Sequence, residues 1–530
     1  MSRLDFIIVG AGASGAAVAW SLVSRGYKVL CLDRGPRMDP SHYPSTGHDW
    51  EIRKRTEFNP VTAERQNRFD YPIDDSRSPI AVCNFNAVGG STILYSGHFP
   101  RFLEADFALN SREGVGADWP FGYGELAPYF TLNERMMGLS GLAGDPYYPQ
   151  IEKTLPPVPL GSGGERLAKA FNAKGWHWWP SFSAILTRPR GERGACLNLG
   201  PCNTGCPQGA KASADNTYLK EALRLGLMLV PEFAVSRVLV RDGKAYGVEG
   251  FDDAGEGRVF EADHVILTSS AIGTARILLN SRTDERPQGL GNTSGQVGRN
   301  LMIHPLGYVE GIFDQRFDTD SGPQGCMLYS LQFHRTPGAD HRLGYMMQAL
   351  RGTGPVETAL SALARRKLRF GTQVYDDFDA FYAKQLVIAI VCEDLPRTEN
   401  RVELDETRHD RFGDPGVKIH YVLHDNTKKM MIHGMSRARE LMAAAGAIRS
   451  SAYGPVRNTG WHLLGTARMG DDSRNSVVDA QGRVYDTANL YVADSSVFVT
   501  ASCVNPANTI QAVALMLADR IDKHVRSTRS

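Results

Sequence analysis

The segment from Asp5 to Asp33 constrains this chain more than any other. Asp5-Phe6-Ile7-Ile8-Val9 is a short apolar run with β-branched residues, the pattern of a buried strand. It leads directly into Gly10-Ala11-Gly12-Ala13-Ser14-Gly15. Ala16, Ala19, Trp20 and Val23 then recur at helical spacing, and Gly26 stops that helix. Lys28–Leu32 reads as a second strand, closed by Asp33. Strand, glycine turn, helix, strand and acid in this order describe a dinucleotide-binding βαβ unit. Gly10 permits the tight turn, Gly12 lets the backbone approach a pyrophosphate, and Gly15 allows close helix–strand packing. The helix amino end offers free N–H groups and a positive dipole to phosphates. Asp33 falls where a carboxylate meets a ribose hydroxyl. The fingerprint alone does not separate FAD from NAD; its place at the start of the chain favours FAD.

The remaining sequence adds exclusions. The chain has 530 residues, 59 Lys+Arg and 58 Asp+Glu, so a net charge of +1 excludes an evident nucleic-acid footprint or acidic tail. Phe6–Val23 is about long enough for a signal peptide or marginal membrane helix, but three glycines and two serines interrupt it. No other run approaches the length of a membrane span. Eight cysteines in this length are far from a disulfide scaffold, and a reducing, cytoplasmic setting is expected. The 54 glycines exceed ordinary usage, which asks where they sit.

Three later segments extend the pattern. Gly89-Gly90-Ser91-Thr92 allows backbone contact with a flat or phosphate-bearing ligand. His264–Thr268 reads as a strand, Ser269–Thr274 as a turn, and Ala275–Leu279 as the start of a helix. Near the carboxyl end, Trp461–Gly470 is followed by the strand Asn489–Ala493, which delivers Asp494 at its carboxyl end. Asn505-Pro506 then opens a helix with Ile510, Val513, Ala514, Leu517 and Ile521 on one face. Asn505 suits an N-cap and Pro506 the first helical position.

Together these residues resemble the glucose-methanol-choline (GMC) oxidoreductases, an FAD-dependent family. The resemblance spans residues 5–525 and is strongest at 5–35, 86–101, 264–304 and 460–520. Ser270–Ser281 resembles the family's second signature, with Ala275 and Arg282 as departures. The resemblance implies an α/β fold. A Rossmann-like FAD-binding domain would be built from residues 1–100, 210–306 and 458–530. Residues 101–209 would supply an insertion and substrate-domain elements. Residues 307–457 would form an α+β substrate domain with an antiparallel sheet, one edge of it at Asn400–Leu404. Cofactor contacts are expected at Gly10, Gly12, Ala13, Ser14, Gly15, Asp33, Arg34, Gly89, Gly90, Ser91, Leu94, Val235, Ser270, Asp494, Ser495, Asn505, Pro506 and Thr509. Val88–Phe102 is most similar to the pyranose 2-oxidase and glycoside 3-oxidase branch. Leu94 stands where some of those members join a histidine to the flavin, so non-covalent FAD is expected; His98, four residues on, leaves that question open.

The resemblance also implies a catalytic pair, His462 and Asn505. A histidine suits removal of a hydroxyl proton because it titrates near working pH, and an amide can hold the developing alkoxide. His304 is a weaker candidate, since a loop histidine after Gly298 reads more readily as structural. The expected reaction is oxidation of an alcohol, a sugar, glycoside or other polyol, to a carbonyl. The electron acceptor would be oxygen, a quinone or a carrier protein. A lyase or isomerase of the same fold, an NAD-dependent dehydrogenase and a non-catalytic FAD binder are the rival readings. Cys196, Cys202 and Cys206 lack the spacing and fourth ligand of a zinc site, so no metal is expected. A packed loop is the preferred reading there, with a disulfide left open. Trp176, Trp178 and Trp179 suit either sugar stacking or core packing.

Overall fold

A computed structural model describes residues 3–65, 67–351, 354–364 and 366–529. The strand Leu4–Val9, the helix Ala13–Val23 and the strand Val29–Leu32 form the expected unit, with the two strands parallel. Met228–Val230 lies outside Val29–Leu32. On the other side, Leu4–Val9 pairs with the end of Gly257–Leu267, which pairs in turn with Leu490–Val492. The parallel strands thus come from the beginning, middle and end of the chain. Ile7, Ile8, Leu32, Ile266 and Val492 are inaccessible, as strands covered on both faces require. The helix Ala507–Arg529 packs on Ala13–Val23 and supplies part of that cover.

The first half of Gly257–Leu267 belongs to a different layer. It pairs antiparallel with Lys244–Phe251, which pairs with Ala234–Arg241. The residues Ser269–Thr274, expected as a turn, are instead largely the first turn of the helix Ser270–Asn280. Thr274 secures this start: its hydroxyl oxygen accepts the Ser269 N–H at 3.2 Å and donates to Asp494 at 2.6 Å.

A six-stranded antiparallel sheet forms the second half of the molecule. Its order is Arg449–Tyr453, Leu306–Ile312, Gln385–Cys392, Tyr345–Leu350, Cys326–Ser330 and Trp179–Pro180. The helix Asp425–Ala444 covers one face. Gly307 and Gly311 make that contact possible, since a Cβ there would stand 3.0 Å from Met431 and 2.6 Å from Met442. Leu306, Tyr308, Glu310 and Ile312, on the alternate face, line a cavity. Asn400–Leu404 is not an edge of this sheet. Arg401–His409 pairs with Pro415–His420, which pairs with Ile73–Arg77, in a separate three-stranded sheet. The helix Ser270–Asn280 packs on that sheet, and Val402 is buried there.

The three tryptophans pack partly buried against the core and do not line the cavity. Trp176 meets Phe333 edge-on at 5.1 Å. All eight cysteines are free thiols, including Cys196, Cys202 and Cys206.

Candidate active site

A cavity of about 1350 Å3 reaches from the carboxyl ends of the parallel strands to the open face of the antiparallel sheet. Gly10, Gly12, Ala13 and Ser14 line it after the first strand, Asp33 and Arg34 after the second, and Ser270 after the long one. Ligands of open α/β sheets bind at this end. Gly10 has φ +106°, and a Cβ there would lie 2.6 Å from the Thr268 carbonyl oxygen. A Cβ on Gly15 would lie 1.8 Å from the Gly10 oxygen, so no side chain fits. A Cβ on Gly90 would lie 3.0 Å from the Gly12 Cα. The Gly90 turn therefore rests directly on the first glycine turn, and an extended diphosphate would meet backbone from both.

The Asp33 carboxylate closes this groove. It accepts the Ala11 N–H at 2.6 Å and the Gly35 N–H at 2.8 Å. Burial raises its pKa to about 6, against the pull of those two bonds. Arg34 pairs with Asp410 at 2.5 Å, as Arg276 does at 2.9 Å, and both guanidiniums lie near the Tyr71 ring. A glycine-lined groove ending in a carboxylate fits the dinucleotide part of FAD. Ser91, Leu94, Val235, Ser495 and Pro506 also line the cavity. Gly15, Gly89, Asp494 and Thr509 do not; they stand behind its wall. Gly89, at φ +101°, passes against Asp215. Asp494 accepts from Thr274 and Ser496, and the Thr509 hydroxyl oxygen accepts the Phe102 N–H at 3.1 Å.

His462 and Asn505 meet in the cavity: the Asn505 Nδ2 lies 3.3 Å from the His462 Nε2. The Asn505 side chain does not cap the helix, whose first carbonyl is that of Pro506, accepting from Ile510 at 2.8 Å. Its Oδ1 accepts instead from the Gln348 amide. That bond turns the Asn505 N–H groups toward His462.

His304 completes the arrangement. Its Nε2 lies 2.9 Å from the Ala501 carbonyl oxygen, which can only accept, so the proton is on Nε2. Its Nδ1 is then a bare acceptor, 2.8 Å from the His462 Nδ1, which must carry a proton. His462 is left with a bare Nε2 facing Asn505. Burial above all holds the His462 pKa well below the usual imidazole range. Burial also takes His304 to about 4 and His98 to about 3. The result is a neutral imidazole whose Nε2 lone pair faces the Asn505 amide in the cavity.

Two members of this constellation escaped sequence reasoning. His304 follows a glycine-containing loop and reads as structural, because nothing in the sequence places it beside a residue 158 positions later. Gln348 lies on a strand in a region without a motif; only its alternation with Leu350 puts it on the cavity face.

Comparison with known proteins agrees with this layout. The GMC oxidoreductase family models match residues 185–306 and 396–514, and an NAD(P)-binding Rossmann-like model matches residues 8–51. The chain is 35% identical to 2-methyl-1,2-propanediol dehydrogenase of Mycolicibacterium austroafricanum, over 98% of this chain and 95% of that one. It is 27% identical to the fructose dehydrogenase large subunit of Gluconobacter japonicus, over 98% and 97%. Pyridoxine 4-oxidase from Mesorbium loti shares the fold, with a TM-score of 0.67 at 17% identity, over 98% of this chain and 100% of that one. The likeness therefore runs from end to end and includes both walls of the cavity: the chain belongs to the GMC oxidoreductase family.

Proposed function

We propose that this chain oxidises the CH–OH group of a diol, sugar or other polyol to a carbonyl, with His462 as the base and Asn505 holding the reacting oxygen. The observation that carries this reading is the unprotonated His462 Nε2 beside the Asn505 amide. FAD, when bound, supplies the acceptor for the hydride. The substrate oxygen takes a place between the Nε2 and the Nδ2. His462 removes its proton, and His304 keeps the imidazole in the tautomer that can do so. The Asn505 N–H stabilises the negative charge that develops on oxygen, and Gln348 prevents the amide from turning its own oxygen inward.

The substrate class rests on the relatives, which are named for a branched diol and for fructose. Their dehydrogenase names stand beside the oxidase name of the structural neighbour, so oxygen, a quinone and a carrier protein all stay in view as final acceptor. Leu94 offers no nucleophile to the cavity, which supports non-covalent FAD. The two large sheets support a division into cofactor-binding residues 1–100, 210–306 and 458–530 and substrate-binding residues 307–457, with residues 401–420 set apart in the third sheet. Low cysteine usage, eight in 530 residues, is what supports a reducing, cytoplasmic setting.

The test is anaerobic mixing of the purified flavoprotein with short diols and sugars. Loss of the visible flavin absorbance is expected in the wild type. His462→Ala should slow it by about 10²–10⁴-fold with FAD content unchanged. Equal bleaching by the variant would sink the mechanism.

A further inference from the structure

The substrate side of the cavity holds a charge that alcohol oxidation leaves unused. Arg351 follows the strand Tyr345–Leu350 and is only 7% exposed, and it lines the cavity. Its guanidinium donates to the Pro159 carbonyl oxygen at 2.8 Å. Three arginines are buried to this degree among the described residues: Arg101, Arg276 and Arg351. The first two hold carboxylates, Glu134 at 2.6 Å and Asp410 at 2.9 Å. Arg351 has no such ion pair. Asp318 acts on it only through space, and accepts from the Ser162 hydroxyl at 2.9 Å. A buried cation without a direct ion pair leaves room for a further counter-charge.

Two amides flank it. Gln324 and Asn203 also line the cavity, and the buried Gln324 Oε1 and Asn203 Oδ1 have no hydrogen-bond partner. Backbone bonds draw the group together. The Arg351 N–H donates to the Gly325 oxygen at 3.0 Å, and the Gln324 N–H to the Gly200 oxygen at 3.1 Å, just before the turn that carries Asn203. A carboxamide can present either its oxygen or its NH2 group, so the set can surround an anion with donors.

We propose that Arg351, with Gln324 and Asn203, forms a subsite for a carboxylate at the end of the substrate remote from the reacting carbon. Arg351 lies three residues beyond Gln348, about 10 Å along the strand at ~3.3 Å per residue. An anion bound there shares one cavity with His462, and the guanidinium fork matches a carboxylate in two-point contact. The preferred substrates are therefore hydroxy acids with the alcohol and the acid at opposite ends. This rests on the alcohol-oxidising reading above but extends it to a different part of the cavity.

The experiment compares a six-carbon ω-hydroxy acid with the diol of equal length on the holoenzyme, by anaerobic flavin reduction. The wild type should favour the acid by about tenfold or more in kcat/KM, the scale of one charge-assisted hydrogen bond. Arg351→Gln should abolish that preference while leaving the diol within about threefold. Arg351→Lys, which keeps the charge without the fork, should fall between, and serves if the glutamine variant does not fold. A six-carbon dicarboxylate without a hydroxyl should raise the melting temperature of the wild type and not of Arg351→Gln. Parity between acid and diol in the wild type, or an equal loss on both in Arg351→Gln, overturns the proposal. If no alcohol reduces the flavin, the alcohol-oxidising reading fails, and the dicarboxylate decides the subsite alone: stabilisation of the wild type only supports it, and none overturns it.

Discussion

The wall that faces the dinucleotide is made of backbone, whereas the wall that faces the substrate is made of side chains. On the first, Gly10, Gly12 and Gly90 bring two turns together without intervening side chains. On the second, His462 and Asn505 project from loops, and Gln348 and Arg351 from one strand and its end, into the same cavity. Backbone walls tolerate almost no substitution, because the ligand's place is set by where atoms are absent. Side-chain walls tolerate many substitutions as packing, and each one changes chemistry or preference. The two walls should thus fail differently: one loses the cofactor, the other loses rate.

The sharpest way to break this contrast is Gly15→Ala. A Cβ at this position overlaps the Gly10 oxygen at 1.8 Å, and neither backbone can withdraw without opening the first glycine turn. The expected cost is on the order of 3 kcal/mol, with loss of bound FAD. Flavin content and thermal unfolding measure both. A variant that is yellow and folds normally would show that this wall is not set by close backbone approach.

The substrate wall should behave otherwise. Asn505→Ala is expected to slow flavin reduction by about 10²–10³-fold, the scale seen when one donor to a developing oxyanion is removed. FAD content and melting temperature should stay near those of the wild type, since the Asn505 side chain holds Gln348 and His462 and not the helix end. Normal turnover with a lowered melting temperature would return Asn505 to a structural role.

The same contrast explains what could be read without coordinates. The Gly10–Asp33 unit was legible because its constraints are local: turn, helix start and second strand lie within a few dozen residues. The parallel strands Gly257–Leu267 and Leu490–Val492 were legible in part, as apolar runs ending at ligand loops. Arg401–Leu404 was assigned to the wrong sheet because alternation shows that a strand exists and not which partner it takes. Gln348 and Arg351 were invisible, since one polar residue on a strand carries no local signature. His304 was visible as a histidine, but its role depends on the Ala501 carbonyl and the His462 ring, both distant in sequence.

His304 also provides the subtlest test, because it touches the base and not the substrate. His304→Leu removes the acceptor for the His462 Nδ1 proton, so the ring is free to carry its proton on Nε2, where it cannot act as base. Flavin reduction should slow by about tenfold near neutral pH, at the low end for a misplaced general base. His304→Gln, which can still accept with its side-chain oxygen, should recover part of the rate. The pH dependence separates this from a simple packing defect. Burial above all holds the His462 pKa below its ordinary value, so the wild-type base stays neutral as pH falls through 6.5, the unperturbed imidazole value. A neutral His304 that accepts the Nδ1 proton favours the imidazolium, so replacing it with leucine removes that support and lowers the His462 pKa further. The acid limb of the rate profile should therefore move to lower pH in His304→Leu while the plateau rate falls. A uniform loss of rate with an unmoved acid limb would mean that His304 only fills space, and that the tautomer of His462 is set elsewhere.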